Sequence, residues 1–177
     1  LLIDPAGEGT NIFYGQVVII GADGYLAIST ATGADITTNN LGGSAVGAIG
    51  VFVGCEYINT QGQFTNDQYY PSGTTGVVTA KVITDPDVVF QAQLDGAGAQ
   101  TVLGNNTFFA AVQSTSTGST TTGNSTSALD ATVQTAAAAF RIIGFASGAD
   151  STIGDAFTDV LVKFNPSAHS YTNNVGL

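Results

Sequence analysis

The 177-residue sequence predicts an all-β fold, a compact antiparallel β-barrel or β-sandwich with long Gly/Ser/Thr-rich loops and an extended N-terminal arm. Three observations carry that reading. Short apolar runs alternate with polar residues at period two, the pattern of a half-buried strand. Turn residues, Gly and Asp above all, break these runs at short intervals. A helical period is almost absent, which leaves a sandwich or barrel as the architecture for many short strands. The expected organisation is an arm over residues 1–14 and a single β domain over 15–177, with a low-complexity surface loop at 114–127.

The first segment, "LLIDPAGEGTNIFYG" (1–15), opens with three apolar residues and then meets Pro5, Gly7 and Gly9. It does not read as a strand of a compact core. Leu1, Leu2 and Ile3 need burial, and an arm reaching a neighbouring subunit supplies it. A first strand folded back on its own sheet is the alternative. Residues 17–28, "VVIIGADGYLAI", are two β-prone runs around Gly21-Ala22-Asp23-Gly24. Asp-Gly supplies the positive φ a tight hairpin turn needs. A turn-rich loop follows at 33–45. "AVGAIGVFVGCEYI" (45–58) reads as a buried strand running on into a half-exposed one, with bends or close backbone approach at Gly47, Gly50 and Gly54.

In "VVTAKVI" (77–83), Val78, Ala80 and Val82 share one face and Thr79 and Lys81 the other. Asp85-Pro86-Asp87 breaks the chain. In "VVFQAQL" (88–94), Val88, Phe90, Ala92 and Leu94 face one way and Val89, Gln91 and Gln93 the other, up to a turn at Asp95-Gly96. "TFFAAVQ" (107–113) is a further strand. Between 114 and 127 every residue except Asn124 is Ser, Thr or Gly, so nothing there can bury apolar area. "DATVQTAAAAF" (130–140) allows one or two helical turns. "FRIIGFA" (140–146) and "DVLVKFN" (159–165) are strands, and in the latter Val160, Val162 and Phe164 alternate with Leu161 and Lys163. The likeness of "AIGVFVG" (48–54) to "IIGFASG" (142–148) fits matching strands of a two-layer structure.

Hydrophobic residues make up 44% of the chain, enough for a core, and charged residues only 9%. The usual charged share is about a quarter, so solubility rests on Thr, Ser, Asn, Gln and Gly. Neutral surfaces of this kind are often covered by partners or repeated in assemblies. The net charge is −10, and Lys81, Arg141 and Lys163 are the only cationic side chains. Spread singly through the sequence, they cannot neutralise a run of phosphates, which argues against nucleic acid as a partner. An anionic membrane surface would repel the chain, and no apolar run reaches the ~18 residues of a spanning helix. No signal peptide is visible. The absence of methionine points to a processed product or to a segment upstream of Leu1.

Catalytic and metal-binding patterns are sparse. Cys55 follows an apolar run and reads as a buried thiol. A nucleophile would need a base, and the one histidine, His169, lies in the polar tail. No G-x-S-x-G elbow and no phosphate-binding glycine motif is present. Asp150, Asp155 and Asp159, with Asp85 and Asp87, have a calcium-like density of carboxylates without EF-hand spacing, and read as turn residues and solvating charges. Calcium binding by these loops stays open at this level. No catalytic, cofactor or metal residue is assigned. The richest stretch is 50–74, "GVFVGCEYINTQGQFTNDQYYPSGT", with five aromatic rings and two acids. Phe64 reads as core. Tyr57, Tyr69 and Tyr70 can be core as well, and, apolar with a polar tip, they also suit an interface.

The ordered set "GAIGVFVGCEYINTQGQFTNDQYYPSGT", "VVTAKVITDPDVVFQAQLDGA" and "FRIIGFASGAD…DVLVKFNPSAHSY" resembles a family of small virion proteins of tailed bacteriophages, found in marine and cyanobacterial phages and taken to be capsid decoration (cement) proteins. The likeness runs from about Phe13 to Tyr171. Family members often carry tryptophan before the corner proline, where this chain has Tyr70. The resemblance implies a protein that performs no chemistry and needs no cofactor. It would sit on the outer surface of the capsid, often as a homotrimer, and bridge capsomers by binding the major capsid protein. The surfaces expected to make such contacts are Leu1, Leu2, Ile3, Ile12, Phe13 and Tyr14 in the arm, and Tyr57, Tyr69, Tyr70 and Pro71 in the aromatic stretch. A tail or fibre component, or a surface β-domain binding calcium or glycan, is the alternative.

Overall fold

The structure is a computed structural model that describes residues 1–29, 47–110, 118–146, 148 and 151–173. Among these the fold is all-β, with short 3-10 turns at Gln100–Val102 and Pro166–Ala168. Five strands, β1 (Leu2–Ile3), β2 (Val17–Ile20), β3 (Leu26–Ile28), β4 (Ala48–Ile58) and β6 (Val78–Ile83), join in the circular order β2-β3-β1-β6-β4. The β2–β4 pairing closes the ring, and β5 (Phe64–Asp67) extends it from the far half of β4. A second sheet has the order β7-β10-β9-β8, with β7 at Phe90–Gln93, β8 at Asn106–Thr107, β9 at Phe140–Phe145 and β10 at Asp159–Phe164. Its pairings are antiparallel throughout, whereas the barrel contains one parallel pair, β1 with β3.

The continuous apolar run of β2 has a direct cause. Val18 points into the barrel beside Ile3, Leu26, Ile49 and Phe52, while Val17 and Ile19 point outward into a second core shared with Val160, Val162 and Phe140. A strand buried on both sides cannot alternate apolar with polar. The turn joining β2 to β3 follows its sequence signal: Gly24 has φ +82°, Gly21 and Tyr25 close the hairpin, and the Asp23 carboxylate accepts the Tyr25 N–H at 3.0 Å.

β4 serves three neighbours in turn: β2 over Ala48–Val51, β6 over Val51–Tyr57 and β5 over Cys55–Ile58. Its inward residues are Ile49, Phe52 and Cys55, three apart rather than two. The register shifts against β2 and β6 absorb the extra residue at each step, as β-bulges do. Gly50 makes the first bend possible. Its φ is +153°, and a Cβ there would run into the Ile83 carbonyl oxygen.

The alternations expected of β6, β7 and β10 are those observed. Val78 and Ala80 are buried, as are Val160, Val162 and Phe164, and Gln91 and Gln93 are exposed. Two expectations need correction, the arm and the helical turns before Phe140. Residues 1–14 do not leave the domain as an arm toward a neighbour: Ile3 pairs with Leu26 and Val78, and the Leu1 ammonium donates to the Ala80 carbonyl at 3.0 Å. The first strand folds back because the barrel has a gap between β3 and β6 that only it fills. In the described part of the 114–127 loop Thr120, Thr121, Thr122, Asn124 and Thr126 are exposed, and the loop is tied down at its glycines. Gly118 bridges Ser125, Gly123 accepts the Tyr14 N–H at 2.9 Å, and the absent side chain of Gly118 makes room for the Phe13 ring. Residues 114–117 lie outside the described set, as do 111–113 of the strand expected at 107–113 and the turn-rich loop 33–45. The alanine-rich segment before Phe140 forms bends rather than helix, because Ala138 and Ala139 are buried against the second sheet.

Candidate interaction surface

The aromatic stretch folds as the β4–β5 hairpin and the corner that follows it. Asn59 makes the turn: its Oδ1 accepts the Gln61 and Gln63 N–H groups at 3.0 and 2.9 Å. Beyond the turn, Phe64 lies opposite Ile58, Thr65 opposite Tyr57 and Asp67 opposite Cys55. Strand parity then sorts the side chains. Cys55 is sealed in the barrel, where its S–H reaches the Tyr69 carbonyl oxygen at 3.5 Å. Burial, reinforced by the Asp67 carboxylate, pushes the thiol up to about 12, so a thiolate at neutral pH is disfavoured. Tyr57 donates to Asp67 Oδ2 at 2.7 Å, and burial together with this bond raises the phenol well above its ordinary value.

Tyr70 was expected at an interface and is a core residue, with 0% exposure. Its hydroxyl accepts the Glu8 N–H at 2.9 Å and donates to the Thr74 carbonyl at 2.9 Å, while its main chain pairs with Ile12. The phenol therefore ties the first segment to the Pro71–Thr74 turn, and its polar tip is satisfied inside the molecule. Ile3, Ile12 and Phe13 are buried as well. Phe13 stacks on Tyr69 with ring centroids 5.6 Å apart, which leaves Tyr69 half-buried, and Pro71 is half-buried in its turn. Of the expected contact residues, Leu1, Leu2 and Tyr14 are the ones substantially exposed. Tyr14 borders the cleft between the two sheets, away from Leu2.

The exposed apolar surface lies elsewhere on the same stretch. Phe64 was expected in the core and is 66% exposed; its partner Ile58 is 57% exposed. Val78 pairs with Tyr57, so the preceding residue, Val77, falls opposite Ile58, and it is 71% exposed. Phe64, Ile58 and Val77 thus form one row across three neighbouring chain segments. One step along, the same outer face carries Glu56, Thr79 and Leu2. Lys81 follows and pairs with Glu56 at 3.4 Å. The sequence held a signal for this row: Tyr57 and Ile58 have opposite parity in one strand, so an inward Tyr57 forces Ile58 and its hairpin partner outward.

Asp85 and Asp155 behave as turn formers, whereas Asp159 opens β10 and its carboxylate accepts from the Gln91 and Gln93 side-chain amides at 3.3 and 3.5 Å. Asp85 Oδ1 accepts the Asp87 N–H at 2.8 Å, and Asp155 Oδ2 accepts both the N–H and the hydroxyl of Thr152 at 2.7 Å. These bonds hold the Asp155 carboxyl below its usual range; the Lys163 ammonium does the same for Asp87. Among the described residues no three His, Cys, Asp or Glu side chains converge as metal ligands, and Asp150 lies outside that set. His169 is buried against Phe164 and Tyr171, far in sequence from Cys55, with its Nδ1 accepting the Tyr171 N–H at 3.2 Å. No helix among the described residues is long and apolar enough to cross a membrane. No family model matches the chain, and no curated protein or solved structure matches it.

Proposed function

We propose that this chain is a structural virion protein that binds the outer surface of a phage capsid and stabilises the shell by bridging capsomers. The observation that carries the reading is the outward row of Phe64, Ile58 and Val77, with Leu2 one step along, on a barrel with few charges. Large apolar side chains held side by side in water mark a surface that a protein partner covers. The resemblance of the sequence to decoration proteins makes that partner the major capsid protein, with a homotrimer as the binding unit. Binding the assembled shell in preference to free capsomers is what stabilises it, and three linked copies add avidity. The net charge of −10 suits an outer position better than contact with packaged DNA.

The test is co-sedimentation of the purified chain with shells that lack it, beside a variant carrying Ile58→Ser, Phe64→Ser and Val77→Ser. Saturable binding by the parent, lost in a variant that keeps its circular dichroism spectrum, supports the reading. Failure of the parent to bind shells removes it, and binding to isolated tails instead moves the protein to the tail. Sedimentation equilibrium showing a monomer at every concentration removes the homotrimer.

A further inference from the structure

A cleft of about 650 Å³ opens between the barrel and the second sheet. That size lies within the range of about 300–1,000 Å³ typical of binding pockets. Val17, Val51 and Val53 line one wall, and Phe140 and Val162 lie opposite. Among the described residues no charged side chain contributes to the lining. One border is unusual: Val88 through Gln93 all contribute, six consecutive residues of both parities. A strand presents alternate residues from a face and consecutive ones from its edge, so the cleft is bordered by the edge of β7.

That edge is half used. Leu94 N–H donates to the Thr158 carbonyl, and Ala92 and Phe90 lie opposite Val160 and Val162 of β10. The main-chain groups of residues 90, 92 and 94 therefore point at β10, and those of 89, 91 and 93 point away from it. On the outward side Gln93 C=O accepts the Leu129 N–H at 2.9 Å, and Leu129 bridges Leu94 in parallel. Upstream no further main-chain bond to β7 is made among the described residues, and Ser125 donates its N–H to Tyr14. Val89 and Gln91 are left with outward N–H and C=O groups to which no main-chain bond is made among the described residues. Two residues apart, they match the spacing at which another strand offers its own donors and acceptors.

We infer that the cleft is a strand-addition site: an extended peptide segment of a partner protein pairs with Val89 and Gln91 on the edge of β7, continuing the pairing that Leu129 begins. Alternate side chains of the guest face the floor between the sheets. That floor is apolar and uncharged, so these residues are small or β-branched and apolar, and a charged one there would lose its water without a counter-charge. Main-chain bonds supply the affinity and the floor supplies the selectivity. The cleft borders the first half of β4 and the Phe64 row its far end, so the two are separate sites, and the inference does not depend on where the protein resides.

The probe is an acetylated, amidated hexapeptide, Thr-Val-Thr-Val-Thr-Val, titrated into the full chain and followed by amide shifts of Val88–Leu94 in heteronuclear NMR. Saturable shifts centred on Val89 and Gln91 are expected. N-methylation of alternate peptide bonds on the pairing edge should weaken binding at least tenfold, and replacing the central Val with Lys should do the same. Gln91→Pro removes one outward N–H while leaving the β10 ladder bonded, and should abolish the shifts. No saturable shift with the parent peptide, equal affinity for the N-methylated peptide, or undiminished binding to a folded Gln91→Pro chain overturns the inference. The N-methylated series reads the same contact on the unmodified protein if Gln91→Pro does not fold.

Discussion

The barrel has two outer faces that carry the same kind of side chain and meet different surroundings. On one, Val17, Ile19 and Val51 are covered by the second sheet and become core. On the other, Ile58, Phe64 and Val77 are covered by nothing among the described residues. Hydrophobicity alone does not tell them apart. What distinguishes them is whether the same chain supplies a second layer. Strands β7 to β10 pack against β2 and the first half of β4, and the far half of β4 extends beyond them with β5 attached. The covered face explains the stability of the fold, and the open one is where a partner has room.

Substitutions inside the barrel should break the molecule outright. Phe52 is fully buried on β4, where it meets Ile3, Val18 and Leu26 in the same core. Phe52→Ala is expected to cost about 3–5 kcal/mol. Urea unfolding should show the midpoint falling steeply. A loss near 1 kcal/mol would mean that the interior collapses into the space and is not close-packed.

Tyr70→Phe sharpens the comparison within a single stretch. It leaves the ring and removes the hydroxyl that accepts from Glu8 N–H and donates to the Thr74 carbonyl. Leaving these groups without their partner should cost about 1–3 kcal/mol. The same measurement on Tyr69→Phe, at a half-buried ring whose hydroxyl makes no bond among the described residues, should show a smaller loss. Equal losses would mean that the hydroxyl of Tyr70 is not a structural tie.

These two tyrosines show how far the sequence could be read. Period-two alternation in 78–82, 88–94 and 160–164 placed three strands and their inward faces correctly, because each is paired with at least one neighbouring strand and turns one face toward a core. The Asp23-Gly24 turn was equally legible. Barrel closure was not. It depends on β1 meeting both β3 and β6 and on β2 meeting β4, contacts between residues distant in the chain that no local pattern encodes. The first segment was read as an arm because Pro5, Gly7 and Gly9 look unlike a strand, yet two residues of pairing suffice to dock it. Tyrosine is ambiguous by chemistry: its apolar ring and polar tip suit an interface and also a buried site with two main-chain partners. For Phe64 residue type points to the core and strand parity points to water, and parity is the better guide.

A titration separates the two layers by pH. His169 caps the second core with its ring against Phe164, and its Nδ1 accepts the Tyr171 N–H, so the neutral ring carries its proton on Nε2, which has no partner. Burial pushes its pKa below the ordinary 6.5, with Asp85 opposing part of the effect. The unfolded chain then binds a proton more readily than the folded one. The contribution to stability is present above pH 6.5 and is lost as pH falls below it toward the depressed value. The melting temperature should drop by a few degrees across that window. Glu8, whose carboxyl is raised by burial, acts in the opposite sense as pH falls toward 4.5. The difference between the parent and His169→Asn, which keeps an acceptor near Nδ1, isolates the histidine. Parallel pH profiles for the two proteins would show that the ring protonates without strain.

The smallest expected change in stability belongs to the open face, and its smallness is informative. Phe64 is on β5 at the margin of the barrel, two-thirds exposed, and its ring takes part in none of the aromatic contacts that tie Phe13, Phe90, Phe109 and Phe140 into the cores. Removing it creates no cavity. Threonine suits a strand as well as phenylalanine does, so Phe64→Thr should shift unfolding by no more than about 0.5 kcal/mol in either direction. The residue is a poor choice for solubility, and a side chain that contributes little to folding while exposing a ring to water fits the proposed role of this row as a binding surface. Sedimentation velocity across a concentration series should therefore show weaker self-association, or weaker shell binding, for Phe64→Thr than for the parent at unchanged stability. A destabilisation of several kcal/mol would place Phe64 in a core after all and erase the contrast between the two faces. Unchanged stability together with unchanged association would leave the row without a partner and shift attention to the edge of β7.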